Sequence, residues 1–479
     1  MNNDDHIISE FYEQQQWLFS LVRSAKAAPP SHKRSAEGRL QYYETRTNRI
    51  SNFLRFAGHP ERQYKSVHIA GTSGKGSVTT MIAAILTECG LRTGHTISPY
   101  LQLPTEKLIC DGYLIRPSEF TQLMRDFRVL YEAWKEAGGA TLHYGDAWTL
   151  LKFLWLAKRE VDWGVIETAV GGRYDRTNVL PADLAVITNV DYDHVKSLGP
   201  ELTDIARHKA GIIKEKQIAI TAASKVSVLD VIRSEAAQKG ATLYCRGDDF
   251  DYVVHDLTTI SVQTPFNHYN YIHVGANGTY QLENAALSIA AVDLLAQHHP
   301  IPLTQKRLAT ALARVTYPGR MEIVSKNPLV ILDGAHNPAK MQALVHSLQT
   351  SYPDKRITTI LGALGYKDVS KIVEILRPIS AHFIATEPHL LGKRATPSHL
   401  LAEMIQNLCP TTPVTFAEYV NEAIEQALAN LNPDELLLIT GSLYLVGEAR
   451  GYWYPTEQLL RESEKGLGLL WAHKDYARS

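Results

Sequence analysis

The sequence predicts an α/β protein: a mostly parallel sheet domain carrying a phosphate-binding loop, followed by a smaller Rossmann-like α/β domain. Short apolar runs typical of buried strands alternate with segments of helical periodicity, as in parallel sheets with helices on both faces. Polar clusters follow several of these runs, where open parallel sheets bind their ligands. Because 479 residues are too many for one hydrophobic core, we expect two domains, residues 1–317 and 318–479.

The composition is that of an ordinary globular enzyme. A formal net charge of -1 gives no bias toward nucleic acid or anionic membranes. The four cysteines form no C-x-x-C pair, which argues against a zinc site or a disulfide framework and fits a reducing compartment. The acidic N-terminus lacks the features of a signal peptide, and no apolar run reaches membrane-spanning length. We therefore expect a cytoplasmic protein that acts on small molecules and binds neither nucleic acid nor membranes. A monomer is a separate expectation that does not follow from the composition.

The pattern of apolar residues predicts the elements in chain order. In the first domain we expect helices over 7–24, 40–57, 78–89, 117–137, 146–158, 201–213 and 281–295, and strands over 66–70, 92–98, 163–168, 184–189 and 217–221. Residues 25–38 are expected to form a loop. Helical periodicity is lost between residues 249 and 274, which predicts a small antiparallel element. A hinge at Pro318-Gly319-Arg320 precedes four apolar strands of the second domain, 329–332, 357–361, 382–385 and 436–440.

The stretch Gly71-Thr72-Ser73-Gly74-Lys75-Gly76-Ser77, between the first strand and an apolar helix, has the features of a phosphate-binding loop. Small residues let backbone N–H groups approach an anion, the helix N-terminus adds positive potential, and Lys75 supplies a point charge. Its spacing differs from the common G-x-x-x-x-G-K-[ST] pattern. A tight connection without a ligand is the alternative, but Lys75 and Ser77 favour nucleotide phosphate binding.

Other polar residues follow neighbouring strands, namely Ser98, Glu167 and the segment 191–194 with its His194. A carboxylate and an imidazole beside a phosphate loop suit Mg²⁺ that bridges phosphates. Taken singly, Glu167 could pair with an arginine and His194 could be an ordinary loop histidine. Their joint position at strand ends favours the metal site.

The segment Asp333-Gly334-Ala335-His336-Asn337-Pro338 follows the first strand of the second domain. Asp-Gly and Asn-Pro are turn-forming pairs and would explain it as a connection. It also brings an acid and a histidine to a strand end. Polar strand ends in both domains predict a site between them that closes around a nucleotide and an acceptor.

Nine motifs, in order, resemble those of the folylpolyglutamate synthase/dihydrofolate synthase branch of the Mur ligase superfamily. GTSGKGS at 71–77 is similar to the family's GTNGKGS, with Ser73 in place of Asn. The others are SPYL at 98–101, ETAVGGRYDRTN at 167–178, ITN…DH at 187–194, KAGIIK at 209–214, QLENA at 281–285, YPGR at 317–320, DGAHNP at 333–338 and GSLYLVGEAR at 441–450. The resemblance extends from about Leu40 to Arg450. It implies a central domain of the Mur ligase type followed by a glutamate ligase domain.

The resemblance also implies the reaction, which is amide bond formation driven by ATP. A substrate carboxylate attacks the γ-phosphate to give an acyl phosphate, and the amine of glutamate then displaces phosphate. Within the phosphate-binding loop, Lys75 is expected to contact the β- and γ-phosphates. Asn284, Arg320 and Asp333 match positions that hold adenine, phosphate and ribose, and His336 matches a catalytic position near the phosphate and the incoming glutamate.

Two Mg²⁺ ions are implied as well. Ser98 and Glu167 match the ligands of one ion, and Glu167, His194 and Lys209 match those of the other. The family's lysine at the position of Lys209 is carbamylated, because an ammonium cannot ligate a metal whereas a carbamate is an oxygen donor. Without the resemblance, Lys209 would read as an ordinary solvated lysine of a helix.

Departures from the family pattern concern the acceptor. Tyr100 replaces a histidine, Lys107 an arginine and His208 a glutamate, and Asp191-Tyr192 replaces small and apolar residues. The leading hypothesis is addition of L-glutamate to a reduced folate such as tetrahydrofolate. The alternatives are dihydropteroate as acceptor, a non-folate carboxylate, and a nucleotide-binding protein without turnover. The joint presence of the predicted catalytic residues argues against the last of these.

Overall fold

The computed structural model describes residues 3–23, 35–365, 369–389, 395–432 and 434–467. Within these ranges it contains an eight-stranded sheet, a three-stranded antiparallel sheet and a six-stranded sheet, with helices between the strands. The two larger sheets are predominantly parallel, which confirms the predicted α/β fold class. No helix of the described residues is long and apolar enough to cross a membrane.

The first part of the chain builds the eight-stranded and the three-stranded sheet. Its helices are α1 Asn3–Arg23, α2 Ala36–Phe56, α3 Lys75–Glu88, α4 Pro117–Glu136, α5 Tyr144–Lys158, α6 Val195–Leu198, α7 Leu202–Ala210, α8 Val226–Gln238, α9 Tyr280–His298 and α10 Gln305–Arg314. Its strands are β1 Lys65–Ala70, β2 Thr93–Thr96, β3 Ile109–Cys110, β4 Tyr113–Leu114, β5 Trp163–Glu167, β6 Leu184–Ile187, β7 Ile218–Thr221, β8 Thr242–Cys245, β9 Asp251–Val254, β10 Thr259–Gln263 and β11 His268–His273. The last three strands form the small antiparallel element that the sequence predicts.

The strand order β4-β3-β2-β5-β1-β6-β7-β8 brings the polar strand ends together. β1 lies between β5 and β6, and β2 lies on the other side of β5; all of these pairs are parallel. Ile69 of β1 is paired in register with Glu167, the last residue of β5. Alternate residues of β1 and β6 pack into different hydrophobic cores, so the sheet is buried on both faces. The residues that follow β2, β5, β1 and β6 therefore share one edge of the sheet.

The second part of the chain builds the six-stranded sheet in the order β12-β13-β17-β14-β15-β16. Its strands are β12 Glu322–Lys326, β13 Leu329–Asp333, β14 Arg356–Leu361, β15 Ser380–Ala385, β16 Val414–Phe416 and β17 Glu435–Thr440. Its helices are α11 Pro338–Ser351, α12 Val369–Leu376, α13 Ser398–Leu408, α14 Val420–Asn430, α15 Leu443–Trp453 and α16 Thr456–Glu464. The four predicted strands of this part are present as β13, β14, β15 and β17.

Short or partly exposed strands at the edges of the sheets were not predicted from the sequence. β3 and β4 have two residues each, and β8, β12 and β16 are edge strands without a fully buried face. Helix α2 begins at Ala36, four residues before the predicted start, and most of the predicted loop 25–38 lies outside the described residues. Helix α16 returns to the first part of the chain, where Leu460 is buried beside α1 and α4. The assignment of 318–479 to one domain stays a prediction.

Candidate active site

A cavity of about 470 Å³ lies between the carboxyl ends of the first sheet and the second part of the chain. It is lined by every residue to which the sequence analysis gives a catalytic, ATP-binding or metal-binding role, namely Gly71, Thr72, Ser73, Gly74, Lys75, Gly76, Ser77, Ser98, Glu167, His194, Lys209, Asn284, Arg320, Asp333 and His336. Residues separated by more than 260 positions in the chain thus meet in one place. Their individual roles stay predictions.

Residues that follow β6 hold the predicted phosphate-binding loop in place. Thr188 Oγ1 donates a 2.6 Å hydrogen bond to the carbonyl of Ser73, and the Ser73 N–H donates at 2.8 Å to Asn189 Oδ1. Gly74 begins α3 in the left-handed conformation with φ +81°, and a Cβ atom there would collide with Asn284 Oδ1. The loop therefore has a fixed backbone at the N-terminus of a fourteen-residue helix, the geometry of an anion site.

Glu167 is the buried carboxylate at the centre of the site. Its Oε2 accepts a 2.8 Å hydrogen bond from the Ser98 N–H, and its Oε1 lies 3.9 Å from Lys75 Nζ. Burial raises the pKa of Glu167, and the nearby Lys75 opposes this shift. Lys75 Nζ also donates to the Gly71 carbonyl at 3.1 Å. The Lys75 ammonium is thereby held between the loop and the carboxylate.

Lys209, near the end of α7, is only 3% exposed although it is a lysine. Burial and then the charge of Lys75 lower the pKa of Lys209 well below its ordinary value, while Asp193 acts in the opposite direction. A buried amine with a lowered pKa is more often neutral, and the neutral amine is the form that reacts with CO₂. This environment fits the carbamate that the resemblance implies.

The predicted metal ligands offer a mixed set of donors. No three His, Cys, Asp or Glu side chains within the described ranges converge into a metal-binding group. Ser98, Glu167 and His194 provide a hydroxyl, a carboxylate and an imidazole, and Lys209 adds an oxygen donor only when it is modified. Few protein ligands are what Mg²⁺ requires where phosphates and waters complete its coordination.

The second part of the chain forms the opposite wall. Asp333 ends β13, and its carboxylate accepts hydrogen bonds from the N–H groups of Ala335 and Met321 at 2.8 and 2.9 Å. Burial raises the pKa of Asp333, with Arg320 opposing the shift. His336 Nδ1 lies 2.8 Å from the Gly334 carbonyl, to which it donates, so its Nε2 can accept from another group.

Lys340 is a site residue that sequence reasoning missed, and Asp193 was placed at a strand end without being given a role. Lys340 Nζ lies 3.3 Å from His336 Nε2 and 4.0 Å from Asp193 Oδ2, and both residues line the cavity. Lys340 lies in the first turn of α11, two residues after the 333–338 segment, and this closeness in sequence is the signal that could have found it. Only the tertiary structure brings Asp193 to them.

Lys107, one of the departures from the family pattern, lies among aromatic rings close to the cavity. Its ammonium is 4.2 Å from the ring centre of Trp148 and 4.9 Å from that of Tyr100. Burial and then the charge of Lys152 lower the pKa of Lys107 well below its ordinary value. The adjacent Glu106 accepts N–H groups of residues 101–103 and so shapes the turn that follows Ser98.

Comparison with known proteins assigns the fold to a class. Two family models match the chain: the Mur ligase middle domain over residues 69–292, and the Mur ligase glutamate ligase domain over residues 319–443. Together they span most of the chain and include every predicted site residue. The chain therefore has the middle domain and the glutamate ligase domain that characterise the Mur ligase class.

Relatives narrow the assignment. Dihydrofolate synthase/folylpolyglutamate synthase of Mycobacterium tuberculosis is 32% identical over 436 residues, 84% of this chain and 88% of the relative. The Bacillus subtilis protein of the same name is 30% identical over 421 residues, 86% of this chain and 96% of the relative. The solved structure of Mycobacterium tuberculosis folylpolyglutamate synthase complexed with ADP and AMPPCP is 31% identical, with a TM-score of 0.78, covering 85% of this chain and 95% of that chain.

The chain belongs to the folylpolyglutamate synthase/dihydrofolate synthase family. The resemblance that the nine motifs carry is thereby confirmed, and so is the prediction of an ATP-dependent ligase of the folylpolyglutamate synthase type.

Proposed function

We propose that this protein uses ATP to join the amine of L-glutamate to a folate carboxylate, with tetrahydrofolate as the leading acceptor. The observation that carries the proposal is the convergence of the loop 71–77, Ser98, Glu167, Lys209 and the 333–338 segment on one cavity. The Mycobacterium tuberculosis relative was solved with ADP and AMPPCP, which supports ATP as the phosphoryl donor.

The loop 71–77 binds the phosphates of ATP through backbone N–H groups, and Lys75 neutralises charge that builds on the γ-phosphate during transfer. Asn284, Arg320 and Asp333 hold the rest of the nucleotide against the second part of the chain. Closure between the two parts excludes water, which would otherwise hydrolyse the acyl phosphate. These residues act mainly by positioning the reactants and by electrostatics.

Mg²⁺ would be held by Ser98, Glu167, His194 and a carbamylated Lys209, and it would neutralise phosphate oxygens when bound. Glu167 also has contacts within the protein that do not depend on Mg²⁺. Glu167 fixes the turn at Ser98 and orients Lys75. His336, held through Nδ1 at the Gly334 carbonyl, presents Nε2 near the place where the incoming amine must lose a proton.

The names of the relatives favour one second candidate, dihydropteroate as acceptor, since two of them carry both activities in their names. Because Tyr100 and Lys107 depart from the family pattern, a non-folate carboxylate is the third candidate acceptor. We further propose a monomer in a reducing cytoplasm. All four cysteines are buried free thiols, which supports the reducing compartment.

The test is release of ADP and phosphate from ATP in the presence of L-glutamate and one acceptor at a time. Tetrahydrofolate, dihydropteroate and a panel of non-folate carboxylates serve as acceptors, and mass spectrometry identifies the amide. A product from tetrahydrofolate supports the proposal, and a product from dihydropteroate alone identifies dihydrofolate synthase activity. If neither pterin releases ADP, the folate assignment is wrong.

A further inference from the structure

An ion pair links the two parts of the chain inside the cavity. Lys340 lies in the first turn of α11 in the second part, and Asp193 lies two residues before α6 in the first part. Lys340 Nζ is 4.0 Å from Asp193 Oδ2, and the side chains are 23% and 13% exposed. This is longer than a charge-assisted hydrogen bond, so the pair is a loose one.

We propose that this pair is the binding site for the α-amino-acid group of the incoming substrate, an inference that rests on the proposed function. Lys340 holds the α-carboxylate and Asp193 holds the α-ammonium before the amine loses its proton. The α-carbon of a free amino acid carries both an ammonium and a carboxylate group. Asp193 and Lys340 present the complementary charges side by side. The substrate replaces a loose pair between residues with two contacts of its own.

The charges of the pair favour a zwitterion over a phosphate. A phosphate attracted to Lys340 would also meet the negative charge of Asp193, whereas an amino acid uses both groups. The loop 71–77 and Lys75 already serve the phosphates from the first part of the chain. Lys340 instead lies on the opposite wall, 3.3 Å from His336 Nε2, the group that the proposed function places beside the incoming amine.

The pair also selects among amines. A simple alkylamine would satisfy Asp193 but leave the cation of Lys340 without the carboxylate, and a dicarboxylate without an amine would be repelled by Asp193. Selection by an unmatched charge in a partly buried site is stronger than selection by shape alone. Specificity for an α-amino acid thus comes from Asp193 and Lys340, neither of which is among the residues predicted to bind ATP.

The first test crosses a variant with a substrate analogue. Lys340→Met is compared with wild type on L-glutamate and on L-isoglutamine, in which the α-carboxylate is a neutral amide. We expect Lys340→Met to raise the KM for L-glutamate about 10- to 100-fold, the loss typical of a hydrogen bond to a charged group, with kcat changed far less. The KM for isoglutamine should not change, and Lys340→Arg should keep most of the affinity for L-glutamate.

Two measurements separate this effect from damage to the fold. Lys371→Met removes an exposed lysine from α12 of the same part of the chain and should leave all constants at wild-type values. Affinity for ATP should be the same in Lys340→Met as in wild type. An unchanged KM for L-glutamate, or an equal rise for both amino acids, would overturn the proposal. A wild-type enzyme that never uses L-glutamate would instead refute the proposed function.

The second test addresses Asp193 through the ratio of two ligands in one protein. Glutarate carries the carboxylates of glutamate and lacks its ammonium. In Asp193→Asn, inhibition by glutarate should strengthen relative to the affinity for L-glutamate, by about tenfold or more. The substitution removes the repulsion between Asp193 and glutarate, and it removes the attraction between Asp193 and the ammonium of L-glutamate. Damage to the neighbouring His194 would weaken both ligands together, so an unchanged ratio contradicts the assignment of Asp193.

Discussion

The backbone N–H of Ser98 donates a 2.8 Å hydrogen bond to Oε2 of Glu167, so the turn after β2 is joined to the last residue of β5. The other oxygen of this carboxylate lies 3.9 Å from Lys75 Nζ, at the start of α3. One buried side chain thereby couples three segments that are remote in sequence. Substitutions at this point should affect activity and stability in different directions.

Lys75→Ala should lower kcat/KM about 100-fold or more, because a positioned cation that neutralises developing charge is removed. The cost should fall on the chemical step, and binding of ADP should weaken less than binding of ATP. Steady-state kinetics and calorimetric titration with both nucleotides measure this. A rate unchanged by the substitution would refute the assignment of Lys75.

Glu167→Gln should abolish most activity, again by about 100-fold, yet it should not destabilise the nucleotide-free protein at neutral pH. Burial raises the pKa of Glu167 above its ordinary 4.5, so the folded state binds this proton more tightly than the unfolded state does. The resulting stabilisation is present below the ordinary pKa and is lost as the pH rises through the raised one.

The glutamine variant does not titrate, so its stability relative to wild type should increase as the pH rises above about 4.5. Urea unfolding of both proteins between pH 4 and 8, without nucleotide or Mg²⁺, measures the difference. Glu160→Gln, at an exposed carboxylate, is the control and should show no such trend. A difference that decreases with pH would contradict the burial effect.

Lys209 should require CO₂ for its function. Its lowered pKa increases the fraction of neutral amine near neutral pH, so enzyme depleted of CO₂ should lose activity and regain it on addition of bicarbonate. Lys209→Arg keeps a cation but cannot form a carbamate, and it should lose about as much activity as Lys209→Gln, roughly 100-fold. Full activity of the arginine variant, or native mass spectra without the added CO₂, would count against the carbamate.

Alanine substitutions at two glycines with similar backbone angles distinguish the effect of backbone strain from the effect of a collision with a neighbouring side chain. Gly90 has φ +86° and nothing within 4 Å of an added Cβ, so Gly90→Ala should cost about 1–2 kcal/mol of stability and leave activity unchanged. Gly74 has φ +81°, but its Cβ would displace Asn284 Oδ1. Gly74→Ala should therefore also raise the KM for ATP, which kinetics alongside urea unfolding will show. Equal effects of the two substitutions on KM would contradict this use of Asn284.

Local patterns were sufficient for the buried elements. Strands such as β1, β5 and β6 are continuous apolar runs because both faces of a parallel sheet are covered. Such a run can be recognised as a strand without knowledge of the strands that pair with it. β8 and β12 at sheet edges have half-exposed residues, so their patterns resemble those of loops. Helix α16 was placed with the second domain by its position in the chain, and its packing against α1 follows from a tertiary contact that sequence distance conceals.

The sequence by itself predicted nucleotide phosphate binding, because a phosphate-binding loop and polar strand ends depend on residue type and spacing within short segments. The ligase reaction followed from the resemblance of nine short motifs to those of a known family. The sequence also predicted that Ser98, Glu167 and His194 lie close together, since parallel strands end at a common edge. Only the tertiary structure decided which charges face each other across the cavity. Asp193 lies in the segment after β6 and Lys340 lies in α11, and their 4.0 Å approach depends on how the two parts of the chain pack. Electrostatic interaction depends on distance in space, and distance along the chain carries little information about it.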